Sequence, residues 1–252
     1  MSVFFEDRFA VIADIHSNVD ALAAVLQDIS DCDLKCIVNL GDHVSGPMAP
    51  KETADMLMAA DIINVRGNHD RWVCAGSSNE MSSIDKVARD DLGQNHLAWL
   101  MEMPATIQLS KDVFACHGTP ESDLEYWLED VQSNGAVVLR SQTEIAKHTA
   151  ASDANLFLCG HTHLPRRVDL PNGKTVLNPG SVGCPAYMDS APYDHKIETG
   201  TPTACYAIVE RREHGWVTMF RHVPYDPSRM IAQAIASDHP HWEVRLATGR
   251  AA

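Results

Sequence analysis

Five short apolar runs, each cut off by a polar segment rich in Asp, Asn or His, constrain this chain more than any other feature. Phe9 to Ala13 precedes Asp14-Ile15-His16, and Cys36 to Leu40 precedes Gly41-Asp42. Ile62 to Val65 leads, through Arg66, into Gly67-Asn68-His69-Asp70. Val113 to Cys116 precedes His117-Gly118, and Leu156 to Cys159 precedes Gly160-His161-Thr162-His163. Continuous apolar runs of this length suit strands buried on both faces. Between the first two, Asn18 offers a helix cap, and Leu22, Val25, Leu26 and Ile29 recur at helical spacing. A second helix is expected to open at Pro50, a residue favoured in the first turn. Strand, helix, strand, helix, strand predicts an α/β chain with a largely parallel beginning.

Further on, residues 82–102 read as helical with a break at Gly93, and short strands are expected at 106–109 and 113–116. A helix is predicted over 141–151. Hairpins are predicted where 168–170 and 175–177 flank Pro171-Asn172-Gly173-Lys174, and where 203–210 face 216–223. A last helix is expected near Pro227, with the final dozen residues fraying. No element is assigned to 121–135. The polar segments run from residue 14 to residue 181, so one domain over 1–252 is expected.

The polar segments fall where ligand sites gather in α/β folds, at the carboxyl ends of strands. In extended backbone, residues two apart point to one side, so Asp14 with His16, and His161 with His163, each offer two donors to one point. Glycines beside Asp42, Asn68, His117 and His161 allow close backbone approach. Imidazole and carboxylate together suit Mn, Fe, Zn or Ni. The set is too large for one ion, whereas two ions sharing a carboxylate account for it.

Composition narrows the substrate. Twenty Lys and Arg against 34 Asp and Glu give a formal charge of −14, which argues against nonspecific nucleic-acid binding. An acidic protein repels a phosphate unless bound cations invert the local field. Seven Cys without a CxxC pair argue against a zinc ribbon and for a reducing compartment. The N-terminus lacks the features of a signal peptide, and no apolar run approaches the ~20 residues of a membrane span. A cytoplasmic location without a membrane partner is expected.

These five segments, in this order, resemble the calcineurin-like metallophosphoesterase superfamily. The stretch Asn178-Pro179-Gly180-Ser181-Val182-Gly183 is similar to its small bacterial and archaeal branch. The resemblance covers Asp14 to Ser181. It implies a four-layer α/β/β/α sandwich of two mixed β-sheets. It also implies one divalent ion held by Asp14, His16 and His163, a second held by Asn68, His117 and His161, and Asp42 bridging both. Manganese is the expected metal, with iron, zinc, nickel or cobalt as alternatives. His69 takes the role of general acid, oriented by Asp70, while a hydroxide shared by the metals attacks phosphorus in line. In an extended segment His69 would point away from the ligand direction of Asn68, toward substrate.

The chain departs from parts of the family. Protein phosphatases and dinucleoside tetraphosphatases carry an Arg soon after the bridging Asp, but Gly41 to Pro47 contains none. Small diesterases of the branch often continue into Pro-Arg, whereas Pro185 is followed here by Ala186. The expected substrate is therefore a small or nucleotide-like phosphodiester, with phosphomonoesters left open by His69. A protein phosphatase, a dinucleoside polyphosphate hydrolase and a non-catalytic metal-binding scaffold are the alternatives. His43 is expected behind the site or at the surface, and Arg66 in a phosphate contact or an ion pair. Tyr126, Trp127, Tyr187 and Tyr193 lie in segments able to rim the site, although such aromatics more often anchor a core.

Overall fold

A computed structural model describes residues 7–75 and 81–251. Residues 1–6, part of the N-terminus read above as lacking an export signal, lie outside the described residues, as do 76–80 and 252. The chain begins with strand β1 (Arg8–Ile12), helix α1 (Val19–Asp31), β2 (Ile37–Asn39), α2 (Pro50–Ala59) and β3 (Ile63–Asn64). Three helices follow: α3 (Asn68–Ala75), α4 (Ser83–Asp91) and α5 (Gln94–Glu102). Then come β4 (Thr106–Ser110), β5 (Val113–Cys116), β6 (Glu129–Val131), β7 (Val137–Leu139), α6 (Gln142–His148) and β8 (Leu156–Leu158). The remainder is β9 (Arg166–Asp169), β10 (Thr175–Asn178), β11 (Ala186–Asp189), β12 (His195–Glu198), β13 (Ala204–Arg212), β14 (Gly215–Val223), α7 (Ser228–Ala236) and α8 (Trp242–Thr248).

Two five-stranded mixed sheets carry the fold, ordered β14-β13-β1-β2-β3 and β4-β5-β8-β10-β9. In each, three adjacent strands are parallel (β1, β2, β3 and β5, β8, β10); β13, β4 and β9 run against their trios, and β14, antiparallel to β13, runs with β1. Strand alternation builds the layers. Phe9 and Val11 face the second sheet, where they meet a cluster including Val113, Leu156 and Leu158. Ala10 and Ile12 face the other way, onto Leu22, Val25 and Ile29 of α1. On the far side Phe157 packs with Ile145 of α6. Helix, sheet, sheet, helix is the four-layer α/β order that the motifs imply. Each fully buried Leu or Ile contributes roughly 1.5–3 kcal/mol, so Leu22→Ala would cost about 2–5 kcal/mol with its cavity.

β1 and β8 hold the middle of their sheets, so the loops after them meet at the middle of the molecule's strand-end face. Asn18 fixes the start of α1 there. Its Oδ1 accepts from the Ala21 amide at 3.1 Å, and its Nδ2 donates to the Gly183 carbonyl at 3.0 Å.

Two helices and two hairpins were not expected from the sequence. The segment after β3 is not extended: α3 starts at Asn68 itself. Its apolar positions are too few to show a period, and Val73 is held by Ala88 and Leu97 of the neighbouring helices. Hairpins β6–β7 and β11–β12 are two-stranded and too short to alternate visibly. The final residues, expected to fray, form α8, where Trp242 and Leu246 are buried against Val19, Met48 and Met230.

Candidate metal centre

Six of the seven predicted ligands meet as two triads. Asp14, His16 and His163 form one, and Asp42, His117 and His161 the other, with the donor atoms of each triad within 4.8 Å of one another. Asn68 joins the second, its Oδ1 lying 2.9 Å from His117 Nε2. One carboxylate oxygen touches both: Asp42 Oδ2 is 3.3 Å from His117 Nε2 and 3.7 Å from His16 Nε2.

Backbone carbonyls set the tautomers of the three buried imidazoles. The Nδ1 atoms of His16, His163 and His117 donate to the carbonyls of Ser45 (2.8 Å), Cys184 (2.7 Å) and Leu40 (2.8 Å). A carbonyl only accepts, so Nδ1 carries a proton in each; in His16 and His163 this turns the Nε2 lone pair to the centre, whereas His117 Nε2 faces the oxygens of Asp42 and Asn68. Half-buried His161 is reversed, donating Nε2–H to the Leu124 carbonyl at 3.1 Å and leaving its lone pair on Nδ1. His16 Nε2 and His163 Nε2 stand 3.2 Å apart. Two inward lone pairs at that distance repel unless a cation lies against both, so the donor set fits divalent metals.

The convergence is not that of extended backbone. Asp14, His16, Asp42, His161 and His163 all have positive φ, between 48° and 71°, as does Ser17. Only Asp33 and Asp238 share that conformation among the other described non-glycine residues. Left-handed backbone costs on the order of 1–2 kcal/mol per residue and clusters at functional sites. Pairing the loops offsets it: the Asp14 amide donates to the Gly41 carbonyl, and the His16 amide to the Asp42 carbonyl, each at 3.0 Å. Gly67 is required here, because a Cβ on it would lie 2.2 Å from Asp42 Oδ1.

The two triads differ electrically. Burial, reinforced by His69, outweighs the pull of Asp42 and lowers His16 to about 4; burial and His16 hold His163 well below its usual value. Burial would also depress His117, but the Asp42 carboxylate overrides it and raises His117 to about 10. Burial and Asp42 raise Asp14 to about 8 against the pull of His117. For Asp42 the balance goes the other way: His117 and His69 outweigh burial and hold it well below the usual carboxylate range.

The profile of the calcineurin-like phosphoesterase superfamily domain matches residues 8–193, a span that includes every one of these donors. The chain belongs to this family. It is similar to the uncharacterized protein MJ0912 of Methanocaldococcus jannaschii, with 29% identity across 97% of this chain and 99% of that protein. The chain also resembles a solved metallophosphoesterase from Sphaerobacter thermophilus at TM-score 0.72 and 27% identity, covering 95% and 98% of the two chains. The hypothetical protein PH1004 from Pyrococcus horikoshii shares its fold at TM-score 0.73 and 17% identity, covering 97% and 99%.

Within this phosphoesterase fold, Asp70 does not reach His69. Its Oδ2 accepts from the amides of Asp42 and Gly67, each at 2.9 Å, and lies 2.7 Å from His43 Nδ1. Its Oδ1 accepts from the His43 amide at 3.0 Å. Asp70 therefore pins the Asp42 loop, and His43 is its fully buried partner rather than a surface group. Asp85 takes the place expected of Asp70, with Oδ1 2.7 Å from His69 Nδ1. Ser45 Oγ donates to the same oxygen at 2.6 Å, while the Ser82 amide and hydroxyl hold Oδ2 at 2.9 and 2.7 Å. Burial would lower the His69 pKa, but Asp42 and then Asp85 raise it. One sequence signal for Asp85 existed, a Ser82-x-x-Asp85 capping box at the start of α4.

A cavity of about 900 Å³ opens over His16, Asp42, Asn68, His69, His161 and His163. Tyr126 and Tyr187 line it, join through their hydroxyls at 2.7 Å and abut His161 and His163. Trp127 does not: it is core, on Phe157, with Nε1 donating to the Ile145 carbonyl. Tyr193 is exposed and not part of the lining. Arg66 also stands outside the lining. Trp72, unforeseen, stands edge-on to His69 at 4.8 Å in the cavity wall. No helix among the described residues is long and apolar enough to cross a membrane.

Proposed function

We propose that this phosphoesterase hydrolyses small or nucleotide-like phosphodiesters, and phosphomonoesters less well, with two divalent cations of which manganese is the expected pair. Asp14, His16 and His163 would hold one, and Asn68, His117 and His161 the other. The observation that carries the reading is Asp42 Oδ2, shared between an imidazole of each triad. Cations held there would lower the pKa of water and neutralise phosphate charge, as in other two-metal hydrolases. They would also turn an acidic chain into one that attracts an anion at this point.

The remaining work falls to the chain. His69 donates its proton to the departing oxygen. Asp85 fixes the His69 ring by accepting from Nδ1, which leaves Nε2 as the donating atom. A cavity of about 900 Å³ is of small-molecule size, which supports a small ester over a folded phosphoprotein.

A metal-reconstituted panel of monoesters, diesters, dinucleoside polyphosphates and phosphopeptides tests the substrate class; highest kcat/KM on a phosphopeptide would overturn it. His69→Ala tests the acid. Loss of a general acid costs ~10²–10⁴-fold, most where the departing oxygen is basic. The variant should keep both metals and lose far more rate on an alkyl ester than on a nitrophenyl ester of the same class. Equal losses would assign His69 to phosphate binding instead.

A further inference from the structure

Among the described residues, seven buried side-chain nitrogens and oxygens lack a hydrogen-bond partner. Four of them, Trp72 Nε1, Glu129 Oε2, Trp242 Nε1 and Arg245 Nε, belong to side chains lining the cavity over the metal centre. Such orphans are uncommon in folded proteins, and each calls for an explanation. Arg245 stands out because its charge has no counter-ion among the described residues, whereas Glu129 pairs with Arg166 at 2.8 Å.

Arg245 lies on α8, beyond the span matched by the family profile. It is half-buried, with its guanidinium 5.4 Å from the centre of the Trp242 ring. Among the described residues no carboxylate lies within ion-pair distance of it, and its side chain donates no hydrogen bond to the protein. The cavity's other arginine, Arg140, is neutralised by Glu125 at 2.8 Å. Burial lowers the pKa of Arg245, as expected of a charge taken from water without a counter-ion. Glu129, Asp130 and Asp189 also line the cavity, so an anion elsewhere on the wall meets like charge.

We propose that Arg245, braced on Trp242, receives a second anionic group of the substrate, a phosphate or carboxylate carried on the alcohol portion apart from the scissile phosphate. The proposal rests on the phosphoesterase reading above and narrows it to esters with at least two separated anionic groups. A guanidinium suits either oxyanion through paired N–H donors, and a charge-assisted bond of this kind is worth on the order of tenfold or more in affinity.

The test uses manganese-loaded full-length protein and p-nitrophenyl phosphodiesters of alkanediols of graded chain length. Each is compared as its hydroxyl-terminated, phosphate-terminated and carboxylate-terminated form. For at least one chain length, an anionic terminus should lower KM about tenfold or more against the hydroxyl form, with little change in kcat; the two anionic arms tell phosphate from carboxylate. Arg245→Gln should collapse that KM ratio toward one. If the glutamine variant loses its cooperative melt, Arg245→Met, which keeps an unbranched stem over Trp242, should give the same collapse. Equal KM for charged and hydroxyl forms at every length would overturn the proposal while leaving the phosphoesterase reading intact. A preference that survives in the variant would overturn it as well. No metal-dependent hydrolysis of any of these esters would instead remove the reading on which it rests.

Discussion

The two triads of the centre are built from the same side chains and yet are unlike in state. Around Asp14, burial leaves His16 and His163 neutral, with inward lone pairs 3.2 Å apart. Around Asp42, the carboxylate gives His117 a tightly held proton, and Asn68 adds a neutral oxygen. One triad already has its imidazoles in ligating form, whereas the other is closed by an internal ion pair. A donor set read from sequence fixes which atoms converge, but burial and the position of one carboxylate decide what each atom must release before it can bind a cation.

Removing the shared carboxylate should erase the comparison. Asp42→Asn keeps the shape but withdraws the charge that touches both triads, and it also weakens the acceptor for the His69 amide. Both cations should bind more weakly, and activity should fall on the order of 10³-fold, the scale of losing a main electrostatic group. Metal analysis after reconstitution, set beside turnover, checks this. Loss of only one ion, with the other at full occupancy, would mean that Asp42 belongs to a single triad.

How the centre was legible, and where it was not, follows from the same physics. The ligand positions showed because each follows an apolar run, and burial on both faces leaves a plain mark in sequence. The means of convergence did not show. Alternation suggested extended pairs, but Asp14, His16, His161 and His163 turn in by left-handed backbone, which Asp and His adopt more readily than most residues. Asp70 adjoins His69 in sequence and so looked like its partner; because α3 begins at Asn68, Asp70 turns back to the Asp42 and Gly67 amides. Asp85 reaches His69 only through the packing of α4 beside α3. The two sheets followed from the apolar runs, whereas α8 carries no period of its own and stays in place through Trp242 and Leu246.

Asp85 gives a smaller and more selective effect than Asp42. Asp85→Asn can still hold the ring but no longer favours its charged form, so the His69 pKa should fall. The protonated acid is then lost at lower pH, and the basic limb of the kcat profile should move toward acid. Changes to such supporting partners cost ~10–100-fold, so activity should drop by that order with both metals retained. A pH–rate profile of the two proteins decides it. A uniform loss at all pH values would reduce Asp85 to packing.

The smallest effect is also the one that separates the triads most cleanly, since it counts protons. Ligation needs Asp14 as carboxylate and His117 with a free Nε2 lone pair, and metal binding therefore displaces whatever protons they hold. With Asp14 raised to about 8, the first triad should release a proton on binding at neutral pH and cease to do so as pH rises past that value. His16, at about 4, and His163, lower still, have none to give. In the second triad Asp42 is already ionised and His161, at about 3, is already neutral, but His117 should go on releasing its proton until about 10. The Asp42 charge is among the causes that raise Asp14, so the proton count belongs to the centre as a whole rather than to Asp14 alone. Calorimetric titration of the metal-stripped protein with Mn²⁺, in buffers of different ionisation enthalpy, gives the number released. It should be larger near neutrality than at about pH 9, where only the His117 proton is left to leave. The sign follows directly: apparent metal affinity rises with pH across the whole window, more steeply below about 8 than above it. An affinity independent of pH would show that His117 and Asp14 are not displaced, and that the cations, if they bind, use other donors.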